Sequence, residues 1–351
     1  MIREAIATLV EKRNLTELEV AGCVKEIATG EATPAQVGAL LASLRCKGET
    51  IEEIAAFASS LRELAVRITP TSRGRLIDTC GTGGDGSMTF NVSTLSAIVA
   101  AGAGAIVAKH GNRSVTSRCG SADLLEQLGF NLAVGPEKVK ESIEKVGIGF
   151  MFAPTFHPAM KSVAHLRREI GVRTVFNVMG PLTNPAGADA QVVGVYSASL
   201  TPKIADVLKR LGTKEAMVVH GLEGIDEVSA THRTVISWLK DGVVTTKEYT
   251  PEELGVRGRV EGSMTVLSPE HAVKVALDLL TGGSVQKVVK ETVLVNSAAA
   301  LIVSGMAGSF REGVEIARES LESGSALKKL EQLVKLSGGS LERLEEYEAR
   351  V

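Results

Sequence analysis

Aromatic residues are scarce: Phe, Tyr and Trp make up 3% of the 351 residues. A protein that stacks bases on aromatic platforms needs more of them, so that kind of nucleic-acid binding is disfavoured. An excess of one charge is also missing. The 39 Lys+Arg and 41 Asp+Glu leave a net charge of −2, without the cationic surplus on which phosphate-backbone affinity draws. Only four cysteines occur, at 23, 46, 80 and 119. They form no CxxC pair and no metal-ligand spacing, and read as reduced, buried thiols of a cytoplasmic protein. The start, MIREAIATLVEKRN, carries charges throughout and lacks the apolar core of a signal peptide. No long apolar run of membrane type is present. The uncharged stretch from Ser87 to Ala108 contains Ser, Thr and Asn and breaks at Gly102 and Gly104, so it predicts a buried helix followed by a buried strand rather than a membrane span.

What remains is an ordinary globular composition, 44% hydrophobic and 23% charged, long enough for two domains at ~150 residues each. Residues 1–70 predict an all-helical domain. Leu15–Ala28, Pro34–Cys46 and Ile51–Val66 place apolar residues at three- and four-residue spacing. Thr33-Pro34 and Thr50 are good helix starts, and Gly30 and Gly48 good stops. Residues 69–74, Thr-Pro-Thr-Ser-Arg-Gly, form a linker by composition. From 75 to 351 the pattern changes. Leu76–Thr79, Ala105–Ala108, Gln191–Val195 and Ala216–Val219 are strand candidates alternating with helical stretches such as Pro202–Leu211. That alternation predicts an α/β domain with a mainly parallel central sheet. Arg233–Tyr249 predicts an antiparallel excursion, and the last hundred residues are mostly helical, ending in a charged helix from Leu341.

Residues 78–94 run Asp-Thr-Cys-Gly-Thr-Gly-Gly-Asp-Gly-Ser-Met-Thr-Phe-Asn-Val-Ser-Thr. A strand thus enters a glycine loop and then a helix. Glycines let backbone amides approach an anion, and a helix N-terminus adds unpaired N–H groups and a positive dipole end. Ser87, Asn91, Ser93 and Thr94 add side-chain donors. Gly81, Gly83 and Gly86 match G-x-G-x-x-G by letter, but no acidic residue occurs between Asp85 and Asp123 to hold a dinucleotide ribose. No GxxxxGK[ST] is present. The loop therefore predicts a phosphate or pyrophosphate cradle of another kind.

The second strand candidate ends in Lys109-His110-Gly111-Asn112-Arg113-Ser114, with Gly120-Ser121-Ala122-Asp123 opening a helix soon after. Ligands of parallel α/β sheets sit at the carboxyl ends of strands, so amides at one strand end and cations at the next suit a polyanion. Asp226-Glu227 follows a third strand. Two carboxylates beside a phosphate site suit Mg²⁺, which prefers hard oxygens and substrate phosphates; an isolated Asp-Glu would otherwise be a surface turn. Phe156-His157-Pro158-Ala159-Met160-Lys161 predicts a helix running to Ile170, with His157 and either Arg167 or Arg168 on one side, able to grip a planar carboxylate. A solvated basic face is the alternative there. Residues 177–185, Asn-Val-Met-Gly-Pro-Leu-Thr-Asn-Pro, are rich in turn formers and predict a loop between domains.

Together these segments resemble the anthranilate phosphoribosyltransferase family. The matching text is Gly81-Thr-Gly-Gly-Asp85, Asn91-Val-Ser-Thr94, Lys109-His-Gly-Asn-Arg113, Gly120-Ser-Ala-Asp123, His157-Pro-Ala-Met160, Gly180-Pro-Leu-Thr-Asn-Pro185 and Asp226-Glu227. The resemblance spans nearly the whole chain. It implies the nucleoside phosphorylase/phosphoribosyltransferase-like fold: a small N-terminal helical domain (1–70, joined by helical segments around 157–185) and a larger α/β domain (75–351), in a cytoplasmic homodimer. It implies transfer of the 5-phosphoribosyl group from 5-phosphoribosyl 1-diphosphate to the amine of anthranilate, in tryptophan biosynthesis, with two Mg²⁺ ions and with neither nucleic acid nor membrane as partner.

The resemblance also implies site residues. Gly81, Gly84, Asp85, Thr89, Asn91, Ser93, Thr94, Lys109 and Ser121 would bind phosphoribosyl diphosphate. Gly81, His110, Asn112, His157, Arg167 and Gly180 would bind anthranilate, the family pattern choosing Arg167 over Arg168. Ser93, Asp226 and Glu227 would bind the metal. No covalent nucleophile is implied; Lys109 and Arg167 would act by electrostatics and positioning. Two related readings compete. A pyrimidine nucleoside phosphorylase would carry Lys-His-Ser-Thr-Gly-Gly, which is absent. A nucleic-acid-binding relative would show a basic groove and lose the residues of the acceptor site.

Overall fold

The computed structural model describes all residues except Asp85, 115–117, Ala164, His165, Arg167, Arg168, Arg257, Arg259, Arg350 and Val351. Four helices open the chain: α1 (Ile2–Val10), α2 (Glu17–Thr29), α3 (Pro34–Lys47) and α4 (Ile51–Glu63). Three of them start on the same device. Thr16, Thr33 and Thr50 each accept the N–H of the residue three positions on, and Glu19, Gln36 and Glu53 return a side-chain oxygen to the threonine N–H. Gly30 closes α2 at φ +76°, a conformation only glycine enters freely.

The second part begins with β1 (Leu76–Gly81), α5 (Val92–Gly102), β2 (Ile106–Gly111), α6 (Ser121–Gln127), α7 (Pro136–Val146) and β3 (Ile148–Phe152). A one-turn α8 (Ala153–Phe156), a 3₁₀ turn (Pro158–Val163) and α9 (Phe176–Leu182) lead to β4 (Ala190–Gly194). Then come α10 (Leu200–Arg210), β5 (Glu215–Gly221), β6 (Thr234–Lys240) and β7 (Val243–Tyr249). Five helices finish the chain: α11 (Pro269–Thr281), α12 (Lys287–Ser304), α13 (Phe310–Glu322), α14 (Ser325–Leu336) and α15 (Glu342–Glu348).

The seven strands form one sheet in the order β3-β2-β1-β4-β5-β6-β7. The first five are parallel, and β6 and β7 add antiparallel, as the excursion at 233–249 predicts. Side chains of a strand alternate between faces, and the core divides accordingly. Val192, Met217 and Val219 join a cluster built with α5, α12, α13 and α14. Their neighbours Val193, Ala216 and Val218 join a second cluster with α10, Phe176, Val178 and all four N-terminal helices. The helical part thus shares its interior with one face of the sheet. No helix among the described residues is long and apolar enough to cross a membrane.

Four expectations change. Strand β3 is absent from the sequence reading, yet it pairs along β2 from Val107↔Ile148 to Gly111↔Phe152. The helix expected from 156 to 170 does not run continuously: α8 stops at His157, whose φ −124° and ψ 63° leave the helical region, and a 3₁₀ turn follows. Pro158 accounts for this, since the residue before a proline is pushed from the α region. Residues 177–185 are not simply a loop; α9 occupies 176–182 with Pro181 inside, held by buried Phe176, Val178, Met179 and Leu182. The cysteines are not all buried, for Cys46 is exposed and Cys80 half-buried.

Candidate active site

After β1 the chain builds β2 and β3 on one side of it and then β4 on the other. The parallel sheet therefore reverses direction of growth between β1 and β4, and a crevice opens above their carboxyl ends, where open α/β sheets place ligands. A cavity of about 330 Å³ lies there. Its walls come from the glycine loop, the N-terminus of α5, the segment after β2, the start of α6, α9 and the acidic pair after β5.

The glycine loop is shaped by backbone freedom. Gly83, Gly84 and Gly86 have φ of +63°, +74° and +78°, so successive residues turn by a route closed to most side chains. The loop is tied down at three places. Thr82 N–H donates to Gly194 C=O at 2.9 Å. Phe90 N–H donates to Met264 C=O and Val266 N–H to Met88 C=O, both at 3.0 Å. The Arg173 guanidinium donates to Gly84 C=O while stacking 4.2 Å above the Tyr196 ring. At the end of the loop, Asn91 Oδ1 and Thr94 Oγ1 are buried without a hydrogen-bond partner. Buried orphans of this kind mark a place for a polar ligand. Asp85 lies outside the described residues.

Lys109 is buried beneath the loop. Its ammonium donates to Thr79 C=O at 2.6 Å and to Ser93 Oγ at 3.4 Å. Burial lowers its pKa, opposed by the charge of Asp78. Asp78 is fully buried in β1, and burial raises its pKa against the pull of Lys109. It accepts from His110 N–H at 3.2 Å and from Asn184 Nδ2 at 2.7 Å. Two buried, hydrogen-bonded groups of opposite charge, coupled through the field rather than by direct contact, are thus set under the crevice.

His110 and His157 lie with ring centroids 5.0 Å apart. His110 Nδ1 is 3.1 Å from Gly180 C=O. A carbonyl can only accept, so Nδ1 carries the proton and Nε2 is a bare acceptor. Both Nε2 atoms are buried without partners. Burial drives the His110 pKa down to about 3 and that of His157 to about 4, so both rings are neutral near pH 7. Only His110 borders the cavity; His157 sits behind it. Arg167 lies outside the described residues.

Asp226 reaches across to the loop, its Oδ2 accepting from Gly83 N–H at 2.8 Å. Two glycines make room. A Cβ at Gly81 would overlap Asp226 Oδ2, and one at Gly194 would overlap its carbonyl oxygen. Glu227 borders the cavity beside it. Among the described residues no three or more His, Cys, Asp or Glu gather in a metal-holding group. Two carboxylates with the Ser93 hydroxyl nearby are still a hard-oxygen set that suits Mg²⁺ shared with a substrate's phosphates.

The structure therefore gathers Gly81, Gly84, Thr89, Asn91, Ser93, Thr94, Lys109, His110, Asn112, Ser121, Gly180, Asp226 and Glu227 around one cavity. Ser121 Oγ donates to Asn112 C=O at 3.2 Å, closing the α6 side. Asp78, Asn184 and Arg173 are contributors that the sequence reading lacks. An acid within an apolar strand is the one signal that could have marked Asp78.

Two family models cover the chain: the "Glycosyl transferase family, helical bundle domain" matches residues 3–65 and the "Glycosyl transferase family, a/b domain" residues 73–327. The chain belongs to this glycosyl transferase family. Its relatives narrow the assignment. It is 49% identical to the anthranilate phosphoribosyltransferase of Methanocorpusculum labreanum, covering 97% of this chain and 99% of that one. With the enzyme of the same name from Aquifex aeolicus it shares 48%, over 96% and 98%. The anthranilate phosphoribosyltransferase structure from Thermus thermophilus superposes with a TM-score of 0.88 at 42% identity, over 95% and 99%. That from Saccharomyces cerevisiae, in complex with PRPP and Mg, gives 0.86 at 27%, over 96% and 98%. Within the glycosyl transferases, this chain is a member of the anthranilate phosphoribosyltransferase family.

Proposed function

We infer that the chain transfers the 5-phosphoribosyl group of 5-phosphoribosyl 1-diphosphate to the amine of anthranilate, releasing diphosphate, as a step of tryptophan biosynthesis. The observation that carries this is the crevice at the β1/β4 switch point. Backbone amides of the glycine loop and an acidic pair line it on one side, and the neutral imidazole of His110 borders it on the other. A polyanionic donor fits the first side and an amine the second.

Departure of diphosphate leaves positive charge on the ribose C1 and puts negative charge on the leaving group. The amides of the glycine loop and the α5 N-terminus face that charge, and Lys109 adds its field from below. Because Lys109 already donates to Thr79 C=O and Ser93 Oγ, it acts as a fixed charge rather than a flexible grip. Asp226 and Glu227, with Ser93, would hold Mg²⁺, which when bound neutralises diphosphate oxygens. Two ions are the proposed number. His110 Nε2 would accept an N–H of anthranilate's amine, fixing its direction. Gly180, Asn112 and Gly81 would form the walls around the acceptor, with His157 behind His110 and Arg167 on the carboxylate. Aryl amines are weak nucleophiles, so this positioning supplies much of the rate. Further proposals are the division into residues 1–70 and 75–351, the homodimer, and a cytoplasmic location.

Loss of anthranilate fluorescence on mixing with phosphoribosyl diphosphate and Mg²⁺ tests the reaction. The expected result is Mg²⁺-dependent loss with phosphoribosylanthranilate as product. No loss in folded protein, or phosphate-dependent cleavage of thymidine instead, would overturn the assignment.

A further inference from the structure

Helix α12 crosses beneath the sheet and is buried along nearly all of its length. Its Asn296 is 2% exposed, and its side chain is fully engaged. Oδ1 accepts from Val228 N–H at 2.9 Å, and Nδ2 donates to Val228 C=O at 2.8 Å and to Thr292 C=O at 2.8 Å. One amide thus captures both backbone groups of a single residue, as a neighbouring strand would. Val228 directly follows Glu227. Capturing its N–H and C=O sets the peptide planes on both sides of it, including the one that Glu227 leads into.

The other end of the segment is fixed independently. Gly221 N–H donates to Ile225 C=O at 2.9 Å, and Asp226 is held forward by Gly83 N–H. Beyond Asn296's grip, Ser229 N–H donates to Thr234 Oγ1 at 2.9 Å. A small cleft under the site brings Asn296, Glu227, Ser93 and Thr79 together. Asn296 is therefore the rear anchor of the acidic pair, on an element that takes no part in the cavity wall.

We propose that Asn296 is a positioning residue that aims Asp226 and Glu227, and so sets the affinity of the site for a divalent cation. The proposal rests on the reading that this pair holds the metal. Partners behind a metal ligand are worth 10–100-fold in affinity. For Asn296→Ala, Mn²⁺ titrated alone and followed by electron paramagnetic resonance should bind ~10-fold more weakly, at the lower end of that range. The Mg²⁺ concentration for half-maximal rate should rise by a similar factor, while KM for anthranilate stays within about twofold and kcat recovers at saturating Mg²⁺, since ground-state and acceptor contacts are untouched. Asn296→Ser, which keeps one hydrogen-bonding oxygen, should fall between wild type and Asn296→Ala, and remains measurable if the alanine variant does not fold.

Asp226→Asn with Glu227→Gln is the reference. If that double variant loses Mn²⁺ binding while folded Asn296 variants keep wild-type affinity and merely melt earlier, Asn296 is structural and the proposal is overturned. If the double variant itself binds Mn²⁺ normally, the metal assignment falls and the proposal with it.

Discussion

Replacing Gly81 by alanine tests how the acidic pair is placed, because the space there is defined on one side by Asp226. Gly81 does not adopt a positive φ, so a methyl group brings steric conflict without backbone strain. Its Cβ would overlap Asp226 Oδ2 and stand 3.0 Å from Cγ. Carbon atoms settle at ~3.5–4.0 Å, so the carboxylate must retreat by ~0.5–1 Å. The hydrogen bond from Gly83 N–H, now 2.8 Å, would then stretch past the ~3.2 Å limit for N–H···O. Losing a hydrogen bond to a charged group costs ~1.5–3 kcal/mol, which is ~10–150-fold in an equilibrium constant. The expected result is a rise of that order in the Mg²⁺ concentration for half-maximal rate, followed by anthranilate fluorescence, with the melting temperature lower by only a few degrees, ~2–4 °C. Gly84→Ala is the contrast. Among the described residues it meets only Arg173 Nε, at 3.9 Å, but must adopt φ +74°, so it should disturb loop stability more than metal dependence. A folded Gly81→Ala protein with wild-type Mg²⁺ dependence would refute the reasoning.

Three further outcomes are expected. The buried histidines have pKa values lowered to about 3 and about 4, whereas the unfolded chain takes up those protons near pH 6.5. Stability should therefore be full above pH 6.5 and decline as pH falls toward 4, where the unfolded state binds more protons; His157→Asn should flatten the dependence of melting temperature on pH in that window. Lys109→Met should lower the rate by ~100-fold or more and destabilise the fold by removing the nearby positive charge that offsets the burial of Asp78. Adding Asp78→Asn should restore the melting temperature but not the rate, and a restored rate would contradict the role given to the charge. Arg173→Ala should raise KM for phosphoribosyl diphosphate several-fold and leave KM for anthranilate unchanged, since its guanidinium braces the glycine loop at Gly84. Equal changes in both constants would count against that bracing.

Much of this was readable before the fold because local chemistry and tertiary structure agree. The threonine caps, the glycine stops and the strand–loop–helix run from Leu76 to Thr94 each carry their own physical signature. Elements that depend on distant partners carried none. Strand β3 is five residues long with Gly149 inside, too short for periodicity to separate strand from helix. Its glycine is required by tertiary packing, since a Cβ there would meet Ile143 and the Val139 backbone of α7. Helix α9 reads as a turn because Asn, Gly and Pro dominate its composition, yet burial of Phe176 and its neighbours holds it helical. Asn296 belongs to no motif. Its importance comes from a contact 68 positions away in the chain.

The interior shared by the four N-terminal helices and one face of the sheet has a mechanical consequence. Val193, Val195, Ala216 and Val218 are wholly buried in that joint core. Pulling the helical part away from the sheet would put this surface in water, so the two parts should melt in one transition rather than two. The same seam restricts how the crevice can close. A wide swing would open apolar surface to solvent, whereas packed helices can slide by small steps without losing contact. The seam therefore predicts closure by a shear of α4 against α9 and α10 rather than by a hinge at residues 69–74.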